Sequence, residues 1–539
     1  MASRTWLAVS LMLLIWFGWI RWFSPVPPQK PSATDTRLVE SGGSNLSQEK
    51  PSVSSQTSTA SEKVAHDSAF SPIPEGSKLN LRTDALDVLF SSNGGKIAGV
   101  KLLKFRETID KKSPLVTPIE TAKTTLALAA LFTDPVLSEF SRGSFDAQQS
   151  ANQVVFTKKT KDISVSKQYR FSENSNFIEA NFKISFLKED RKDWGSLLIP
   201  LGTSEQETFN AQEPLKSWEV VFYQNDEIQR RNLEKLRKED ESVHQGKSEW
   251  LAFGNRYFAS VVINQSSQIN PDVVFKKTEN FNGAYLKYPL ILKSGQRELD
   301  FSLKFYVGPK DYKELSKIPG LKKLIDYGTF TVFAYPLLEI LRFFYKFIHN
   351  YGIAIILLTV LVRALFYPLS QKSMKSMKEM QKLQPKIAQL KEKYKDDPKK
   401  LNEEQMALFK AHKVNPAGGC LPMLIQLPVF IALYAVLGNS IELFHAPFFG
   451  WIQDLSTKDP FYIYPILMGL AMLLQQKMTP SAGMDPAQQK MMLFMPVIFT
   501  FMMVNLPSGL TLYIFVSTLL GVAQQLALRD KIGTGLQPS

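Results

Sequence analysis

Residues 352–367 read GIAIILLTVLVRALFY, a stretch in which Arg363 is the only charged residue. A run this apolar is typical of a helix that crosses a membrane, which needs about 20 predominantly apolar residues. Five further stretches share its composition, at 6–20, 421–437, 461–474, 491–504 and 509–528. The sequence therefore predicts an α-helical multi-span membrane protein with six transmembrane helices, five of them between residues 351 and 530.

The rest of the composition narrows the class of protein further. At 539 residues the chain is several times longer than a typical domain of roughly 150 residues. Its single cysteine, Cys420, excludes an intramolecular disulfide, and its five histidines show no pair at metal-ligand spacing. We therefore expect no metal site and no cofactor.

The first apolar stretch, 6–20, has the length of either a signal peptide or an anchor. It is followed by Arg21 and a proline-rich segment, with no small-residue cleavage site. We predict an uncleaved transmembrane anchor over 1–23. Residues 24–76 are then rich in Ser, Thr, Pro and Gln, which predicts a flexible linker because this composition buries too little apolar surface to fold.

Between residues 77 and 318 the hydrophobic period changes to two, as in strands with one buried face. Apolar and polar residues alternate at 163–171, 178–186 and 299–307, and Asn93-Gly94-Gly95 is a hairpin signal. We predict an all-β sandwich domain here. One charged stretch, 226–242, is expected to interrupt it as a helical, solvated connector.

A short amphipathic helix is predicted within residues 319–350, just before the membrane core. Over 336–348, Leu337 and Leu341 share one stripe and titratable residues share the other. At about 13 residues with four titratable groups, this helix is too short and polar to span, so it is expected to lie in the membrane interface. The alternative is an ordinary helix packed on the β domain.

Lysines decide the predicted orientation. The segment 371–417 contains twelve lysines against six acidic residues, whereas 442–460 contains one lysine. By the positive-inside rule the first segment faces the cytoplasm, together with both termini and a short tail at 531–539, and the β domain lies on the other side. The net charge of +14 then favours anionic lipid as a partner, and nucleic acid is not expected.

The same segment, 371–417, is predicted to form a helical hairpin with helices at 371–394 and 401–412. Its apolar stripe either packs the two helices on each other or provides a docking surface for a partner. Lys386 and Lys393 are the basic residues that would meet such a partner.

Arg363 is the strongest candidate functional residue. A charged side chain at a helix centre costs at least ~2.5 kcal/mol on insertion scales, and no predicted span contains an Asp or Glu to pair with it. The alternative is that it snorkels to the nearby cytoplasmic end of the helix. Other polar residues fall in the same half of the membrane, namely Thr359, Gln426, Gln475, Gln476, Gln524 and Gln525. Polar groups confined to one leaflet predict a wet groove that opens to the cytoplasm.

The fourth and fifth predicted spans are short. Each offers only about 14 apolar residues before a charge or a proline, against the ~20 that a typical bilayer needs. Short helices of this kind are expected to thin the surrounding lipid.

Several motifs of the C-terminal half resemble those of one known family. They are KVNPAGGCLP at 413–422, QLPVF at 426–430, PILMG at 465–469, DPAQQK at 485–490, MPVIF at 495–499 and PSGL at 507–510. These motifs are similar to those of the YidC/Oxa/Alb family of membrane protein insertases. The long β insert after a first span resembles the Gram-negative form of that family.

The resemblance implies a function in which no covalent bond is made or broken, so the chain is not expected to be an enzyme. It would insert hydrophobic segments of nascent proteins into the bacterial inner membrane, with the Sec translocon and a ribosome or signal recognition particle as further partners. The β domain would be a periplasmic supersandwich similar to mutarotases, 351–530 a five-helix insertase core, and Arg363 the groove arginine. The substrate would slide along Leu427, Phe430, Met495, Phe499 and Tyr513. The chain lacks the Lys-rich tail of some members, which argues against docking of a ribosome by the tail.

Two other functions are compatible with parts of the sequence. A secondary transporter would also have a cytoplasm-facing polar cavity, but the spans lack the Asp, Glu and His residues that relay protons. A membrane-anchored carbohydrate enzyme would suit a mutarotase-like fold. Such an enzyme needs side chains for general acid/base catalysis, and the β domain offers one histidine, His244.

Overall fold

The computed structural model describes most of the chain from residue 70 onward. The described ranges are 70–119, 126–188, 191–203, 218–232, 242–266, 269–278, 281–328, 330–395, 397–412, 414, 421–478 and 486–533. The predicted anchor at 1–23, and the predicted linker as far as residue 69, lie outside these residues.

The N-terminal part of the described chain is a large all-β domain of antiparallel strands. They are β1 (Lys78–Arg82), β2 (Leu86–Ser91), β3 (Lys96–Leu102), β4 (Leu131–Phe132), β5 (Asp146–Ser150), β6 (Gln153–Lys159), β7 (Ile163–Phe171), β8 (Phe177–Phe186), β9 (Asp193–Thr203), β10 (Glu219–Gln224), β11 (Glu227–Asn232), β12 (Ser242–His244), β13 (Ser248–Gly254), β14 (Phe258–Asn264), β15 (Asp272–Lys277), β16 (Asn282–Ile291) and β17 (Glu298–Pro309). Two short helices, α1 (Glu139–Arg142) and α2 (Tyr312–Leu315), accompany them.

These strands form three sheets that enclose one apolar core. The nine-stranded sheet has the order β11-β10-β13-β14-β17-β8-β7-β6-β5, the five-stranded sheet β12-β15-β16-β9-β4, and the small sheet β1-β2-β3. Phe182 and Phe305 of the large sheet and Ile199 and Leu286 of the five-stranded sheet are fully or almost fully buried in the same core. The period-two pattern at 178–186 and 299–307 therefore predicted buried faces correctly.

The predicted hairpin at Asn93-Gly94-Gly95 is confirmed. β2 and β3 pair in antiparallel register on either side of it. Gly94 and Gly95 have φ of +75° and +51°, which glycine adopts without a Cβ clash. A Cβ on Gly95 would also lie 2.9 Å from that of Phe156, so the turn packs directly on the core.

The predicted helical connector at 226–242 is wrong for its first part. Residues 227–232 form strand β11, which pairs with β10 from Gln224 and Glu227 outward. Asn225 and Asp226 both have positive φ, 51° and 64°, and this is the two-residue turn that suits the twist of a hairpin. The charges are explained by the position of β11 at the edge of its sheet.

The C-terminal part of the described chain is helical. Its helices are α3 (Thr331–Ile348), α4 (Tyr351–Lys382), α5 (Gln384–Lys393), α6 (Pro398–Ala411), α7 (Leu421–Asn439), α8 (Ile463–Met478), α9 (Pro486–Met503) and α10 (Ser508–Gly533). Helix α4 is continuous through Pro368 and extends well beyond the apolar stretch. The predicted hairpin helix at 371–394 is therefore wrong in its bounds, because it is the end of α4 followed by a separate α5.

The structure supports the membrane core without fixing the number of spans. Within the described ranges, Tyr351–Lys382 and Ser508–Ala527 are long and apolar enough to cross a membrane, by length and composition. Helix α8 has 16 residues, which at 1.5 Å per residue is about 24 Å, less than the ~30 Å of a typical hydrocarbon core. The count of six transmembrane helices stays a prediction.

Helix α3 connects the two parts and contacts both. Leu338 and Leu341 are buried in an apolar cluster shared with α4 and α7, while Tyr335 contacts the ring of Tyr312 in α2 at 4.9 Å between centroids. Its opposite face is apolar and exposed, with Phe343 57% and Phe347 66% accessible. This exposed face is compatible with the predicted interfacial position, which stays a prediction.

Candidate functional site: a polar groove between membrane helices

The candidate site is built around Arg363 of α4. Its Nε donates a hydrogen bond of 3.0 Å to Oγ of Ser517 in α10. Ser517 is buried, and Arg363 is half-buried. The guanidinium carries five N–H donors. This bond uses one of them and orients the group.

Helix α8 contributes the second polar side chain, Gln475. A Cβ placed on Gly521 of α10 would lie 2.7 Å from Nε2 of Gln475 and 3.5 Å from Nη2 of Arg363. Because Gly521 has no side chain, the amide of Gln475 and the guanidinium of Arg363 can both approach α10 at this position. We call Arg363, Gln475, Ser517 and Gly521 the polar groove.

One face of α10 forms the back of the polar groove. Tyr513, Ser517, Gly521 and Gln525 are spaced four residues apart, which places them on one side of a helix. Tyr513 at the far end is buried and contacts the ring of Phe430 in α7, with centroids 6.2 Å apart. The face thus changes from aromatic to polar toward the C-terminal end of α10.

The charge of Arg363 is not neutralised within the membrane helices. Asp and Glu are absent from the sequence of residues 351–378, 421–439, 463–478, 486–503 and 508–529. A cation in an apolar helix bundle is costly, and structures normally pair it or expose it to a water-filled cavity. The site is therefore suited to receive a polar or negatively charged group.

The other predicted groove residues have different environments. Thr359 is fully buried, and its Oγ1 donates a 2.6 Å bond to the carbonyl of Ile355 in its own helix. Nε2 of Gln524 is buried without a hydrogen-bond partner among the described residues, and Gln476 is half-buried at the end of α8. Gln426 lies in α7, but its side chain is outside the described part of the structure.

The predicted slide residues lie on α7, α9 and α10. Leu427 on α7 is 38% exposed and Met495 on α9 is 53% exposed, whereas Phe499 is half-buried against the helical core. Helix α9 packs on α8, where Gly469 allows Thr500 to approach closely. The opposite side of α9 exposes a broad set of apolar side chains: Phe494, Val497, Ile498, Phe501 and Met502.

The far end of the groove is covered by residues 440–462, which we call the cap. Asp454 accepts bonds from the N–H of Ser456 and His445, at 2.8 and 3.2 Å. Asp459 accepts bonds from Nε1 of Trp451 and from the N–H of Tyr464, at 3.1 and 2.7 Å. These carboxylates fix the loop over the ends of the membrane helices.

The hairpin residues show that its two helices pack on each other. Nζ of Lys386 lies 3.2 Å from Nε2 of His412, and Ile387 is buried, so α5 packs on α6. Lys393 extends over the ring of Tyr394, 5.3 Å from its centroid. Several other lysines of α5 and α6 are exposed, and docking to a partner therefore stays a prediction.

The β domain and the helical core match two separate family models. Residues 78–340 match the family model for the YidC periplasmic domain, and residues 343–534 match that for the 60Kd inner membrane protein. The chain is 36% identical to the membrane protein insertase YidC of Geobacter metallireducens, with 99% of each chain covered. The chain belongs to the YidC family. The corresponding protein of Geotalea uraniireducens is 37% identical, with 97% of this chain and 98% of that one covered.

Among solved structures of the YidC family, one described as an active YidC insertase with its first transmembrane domain resolved is 21% identical to this chain. The match covers 86% of this chain and 96% of that one, with a TM-score of 0.36. Membership in the YidC family confirms the resemblance drawn from the motifs. It also supports an inner-membrane location, with the β domain in the periplasm.

Sequence reasoning missed two members of the polar groove, Ser517 and Gly521. Neither is charged or large, so neither stands out in an apolar span. Their spacing of four residues from Tyr513 and Gln525 is the signal that could have found them. Within the described residues, no group of three or more His, Cys, Asp or Glu side chains could hold a metal ion.

Proposed function

We propose that this chain is an insertase and chaperone that moves apolar segments of nascent proteins from the cytoplasm into the inner membrane. The observation that carries the proposal is the environment of Arg363. Its guanidinium is oriented by Ser517 and adjoins Gln475, and the membrane helices provide no carboxylate for it. A positive charge in surroundings of low dielectric attracts the polar or acidic flank of a substrate strongly.

The path of a substrate follows from the chemistry of the surfaces. Its polar flank rests in the polar groove, while its apolar segment contacts the exposed side chains of α7 and α9, such as Leu427 and Met495. Burial of the apolar segment in lipid supplies about 25 cal/mol per Å². The short α8 thins the adjacent bilayer and shortens the remaining path.

The proposal includes an orientation and a set of partners. Both termini and the hairpin α5–α6 face the cytoplasm, and the chain crosses the membrane six times. Substrates arrive with the Sec translocon or from a ribosome or signal recognition particle that meets the lysines of the hairpin. Anionic lipids neutralise the positive charge of the same lysines.

The test is crosslinking from defined positions to stalled nascent chains that carry one apolar segment and an acidic flank. A photoreactive residue at position 475 should crosslink to the flank, and one at 427 to the apolar segment. Leu470, on α8 and 57% exposed, provides the matched control because it is not part of the polar groove. Equal crosslinking of the flank from positions 475 and 470 would contradict a substrate path through the groove.

A further inference from the structure

A second site lies at the opposite end of the membrane helices from the hairpin. It is formed by the cap and by residues 103–116 of the β domain, which we call the tongue. The cap joins α7 to α8, so it lies directly at the membrane surface on that side. The side chain of Asn350, the N-cap residue of α4, also donates a 3.0 Å bond to the carbonyl of Phe448 in the cap.

The tongue is an ordered hairpin. The N–H of Glu107 donates to the carbonyl of Pro114 at 3.0 Å, and the N–H of Val116 donates to that of Phe105 at 3.0 Å. Nη1 of Arg106 donates a 2.5 Å bond to the carbonyl of Ser113 across the hairpin. The conformation of the tongue is therefore fixed by its own hydrogen bonds.

Aromatic rings attach the tongue to the cap. Phe105 contacts Phe258 edge-on at 5.4 Å between centroids, and Phe258 contacts Phe444 of the cap at 5.4 Å. Phe444 in turn stacks on His445 at 3.8 Å. The rings continue from the β domain into the cap, so the gap between tongue and cap has defined walls.

That gap is a cavity of about 410 Å³. The residues that line it in the described structure are Leu103, Lys104, Arg106, Thr108, Ile109, His445, Pro447 and Gln453. None of them is acidic, and Lys104 and Arg106 contribute two positive charges. The tongue as a whole has four basic and two acidic side chains, so its potential favours an anion.

Exposed apolar side chains flank the same region. Ile109 at the tip of the tongue is 52% exposed, and Phe449 and Phe461 of the cap are 78% and 64% exposed. Apolar side chains next to a basic cavity at a membrane surface suit a molecule that has both an anionic group and acyl chains. We propose that the cavity binds the phosphate of an anionic phospholipid in the outer leaflet, and that the tongue thereby attaches the β domain to the membrane.

The test measures lipid retention by the full-length chain, purified in detergent and examined by native mass spectrometry. The probes are phosphatidylglycerol, phosphatidylcholine and inorganic phosphate. Lys104→Gln with Arg106→Gln should weaken retention of one phosphatidylglycerol about tenfold, through loss of two charge-assisted hydrogen bonds. Lys111→Gln with Lys112→Gln, on the same tongue but outside the cavity, should change it less than about threefold.

A second variant guards against a folding defect. Lys104→Gln alone leaves the bond from Arg106 to Ser113 in place, and should give an intermediate loss with an unchanged melting temperature. Equal losses in the two double variants would show diffuse attraction and overturn the proposal. Equal retention of phosphatidylcholine, or binding of inorganic phosphate with the same residue dependence and no lipid, would overturn it as well.

Discussion

At the scale of single residues, the charge of Arg363 is expected to matter more than its shape. Arg363→Lys should keep most of the insertion activity, Arg363→Ala should lose part of it, and Arg363→Glu should lose most, because attraction to a polar flank depends on the sign of the charge. The deficit should be greatest for substrates with an acidic flank. Protease protection of acidic-flanked and neutral-flanked substrates, in vesicles with matched levels of each variant, measures it.

The snorkelling alternative makes a different prediction for the same series. If the side chain of Arg363 only extends to the membrane surface, Lys, Ala and Glu should be tolerated equally with both substrates. The bond from Nε to Ser517 argues against this outcome, since it directs the group toward α10.

Gly521 provides a steric test of the polar groove. Gly521→Leu should displace Gln475 from the neighbourhood of Arg363 and reduce insertion of acidic-flanked substrates several-fold. Gly438→Leu is the matched control, because nothing lies within 4 Å of a Cβ placed there. The same protease-protection measurement applies, and equal activity of the two variants would contradict the role assigned to Gly521.

Lys167 makes the stability of the β domain depend on pH. It is fully buried on β7, where its Nζ donates to the carbonyls of Gly94 and Phe140 at 2.6 and 3.2 Å. Burial, and to a smaller degree the charge of Lys96, lowers the pKa of Lys167 from 10.5 to about 7. The unfolded chain therefore binds more protons between these pH values, and the free energy of unfolding rises with pH across that window.

The expected size of this dependence is about 2 kcal/mol between pH 7 and pH 9, for this one group. Lys167→Met should remove that part of it, even if the variant is less stable overall. Urea unfolding of the full-length chain at both pH values measures the difference, and exposed Lys159→Met is the control. An unchanged pH dependence in Lys167→Met would exclude a lowered pKa.

The sequence predicted the candidate site in part. Arg363 and Gln475 were placed together because charged and amide side chains are rare in apolar spans, and the structure brings them to the same glycine. Thr359 was placed with them because it falls in the same half of the membrane. A threonine hydroxyl in a helix can bond the carbonyl one turn back, and here it bonds Ile355. The depth of a small polar group in the membrane does not reveal which neighbouring group it bonds.

At the scale of elements, the fold of the hairpin α5–α6 suits either a docking role or a purely structural role. Lys386→Glu with Lys393→Glu should impair insertion more than it changes stability if this surface receives a partner, because surface charges chiefly govern encounter. Lys159→Glu with Lys161→Glu on the β domain makes the same change in net charge. Insertion rates at several ionic strengths measure the effect. Rates equal to those of the control pair would favour a purely structural hairpin.

Two elements were predicted wrongly, each for its own reason. Strand β11 was taken for a helix because its charges suggested a solvated connector, yet an edge strand also exposes one side to water. The end of α4 was assigned to a separate helix at 371–394, although α4 continues through Pro368 to Lys382. Proline removes one backbone bond, and a long helix tolerates this when the bonds on both sides remain.

At the scale of the whole molecule, the β domain contacts the helical core at the cap end of the helices, for example through the hydroxyl of Tyr257, which donates to the carbonyl of Gly438 at 3.3 Å, and through the rings of Phe258 and Phe444. Deletion of residues 78–309, with the first span joined ahead of α3, should leave much of the insertion activity because every residue of the polar groove lies outside the deletion. Nε of Arg342 in α3 and Oε1 of Glu442 in the cap, 2.8 Å apart, also remain in place.

The control for this deletion is its orientation and amount in the membrane, measured by protease accessibility. Complete loss of insertion by a stable, correctly oriented deletion would show that the β domain takes part in insertion itself. The large-scale division into β domain and helical core was predictable, because the first part of the chain has a hydrophobic period of 2 and the second a period of 3.6. How the tongue meets the cap was not predictable, because that contact joins residues more than 300 positions apart.

Pro368 has a mechanical consequence for this molecule. It lies between Arg363 and the hairpin, and it removes the N–H that would otherwise donate to the carbonyl one turn earlier. The bending stiffness of α4 is therefore lowest at this point. We therefore expect a force on the hairpin to bend α4 near Pro368 before it tilts the segment that carries Arg363.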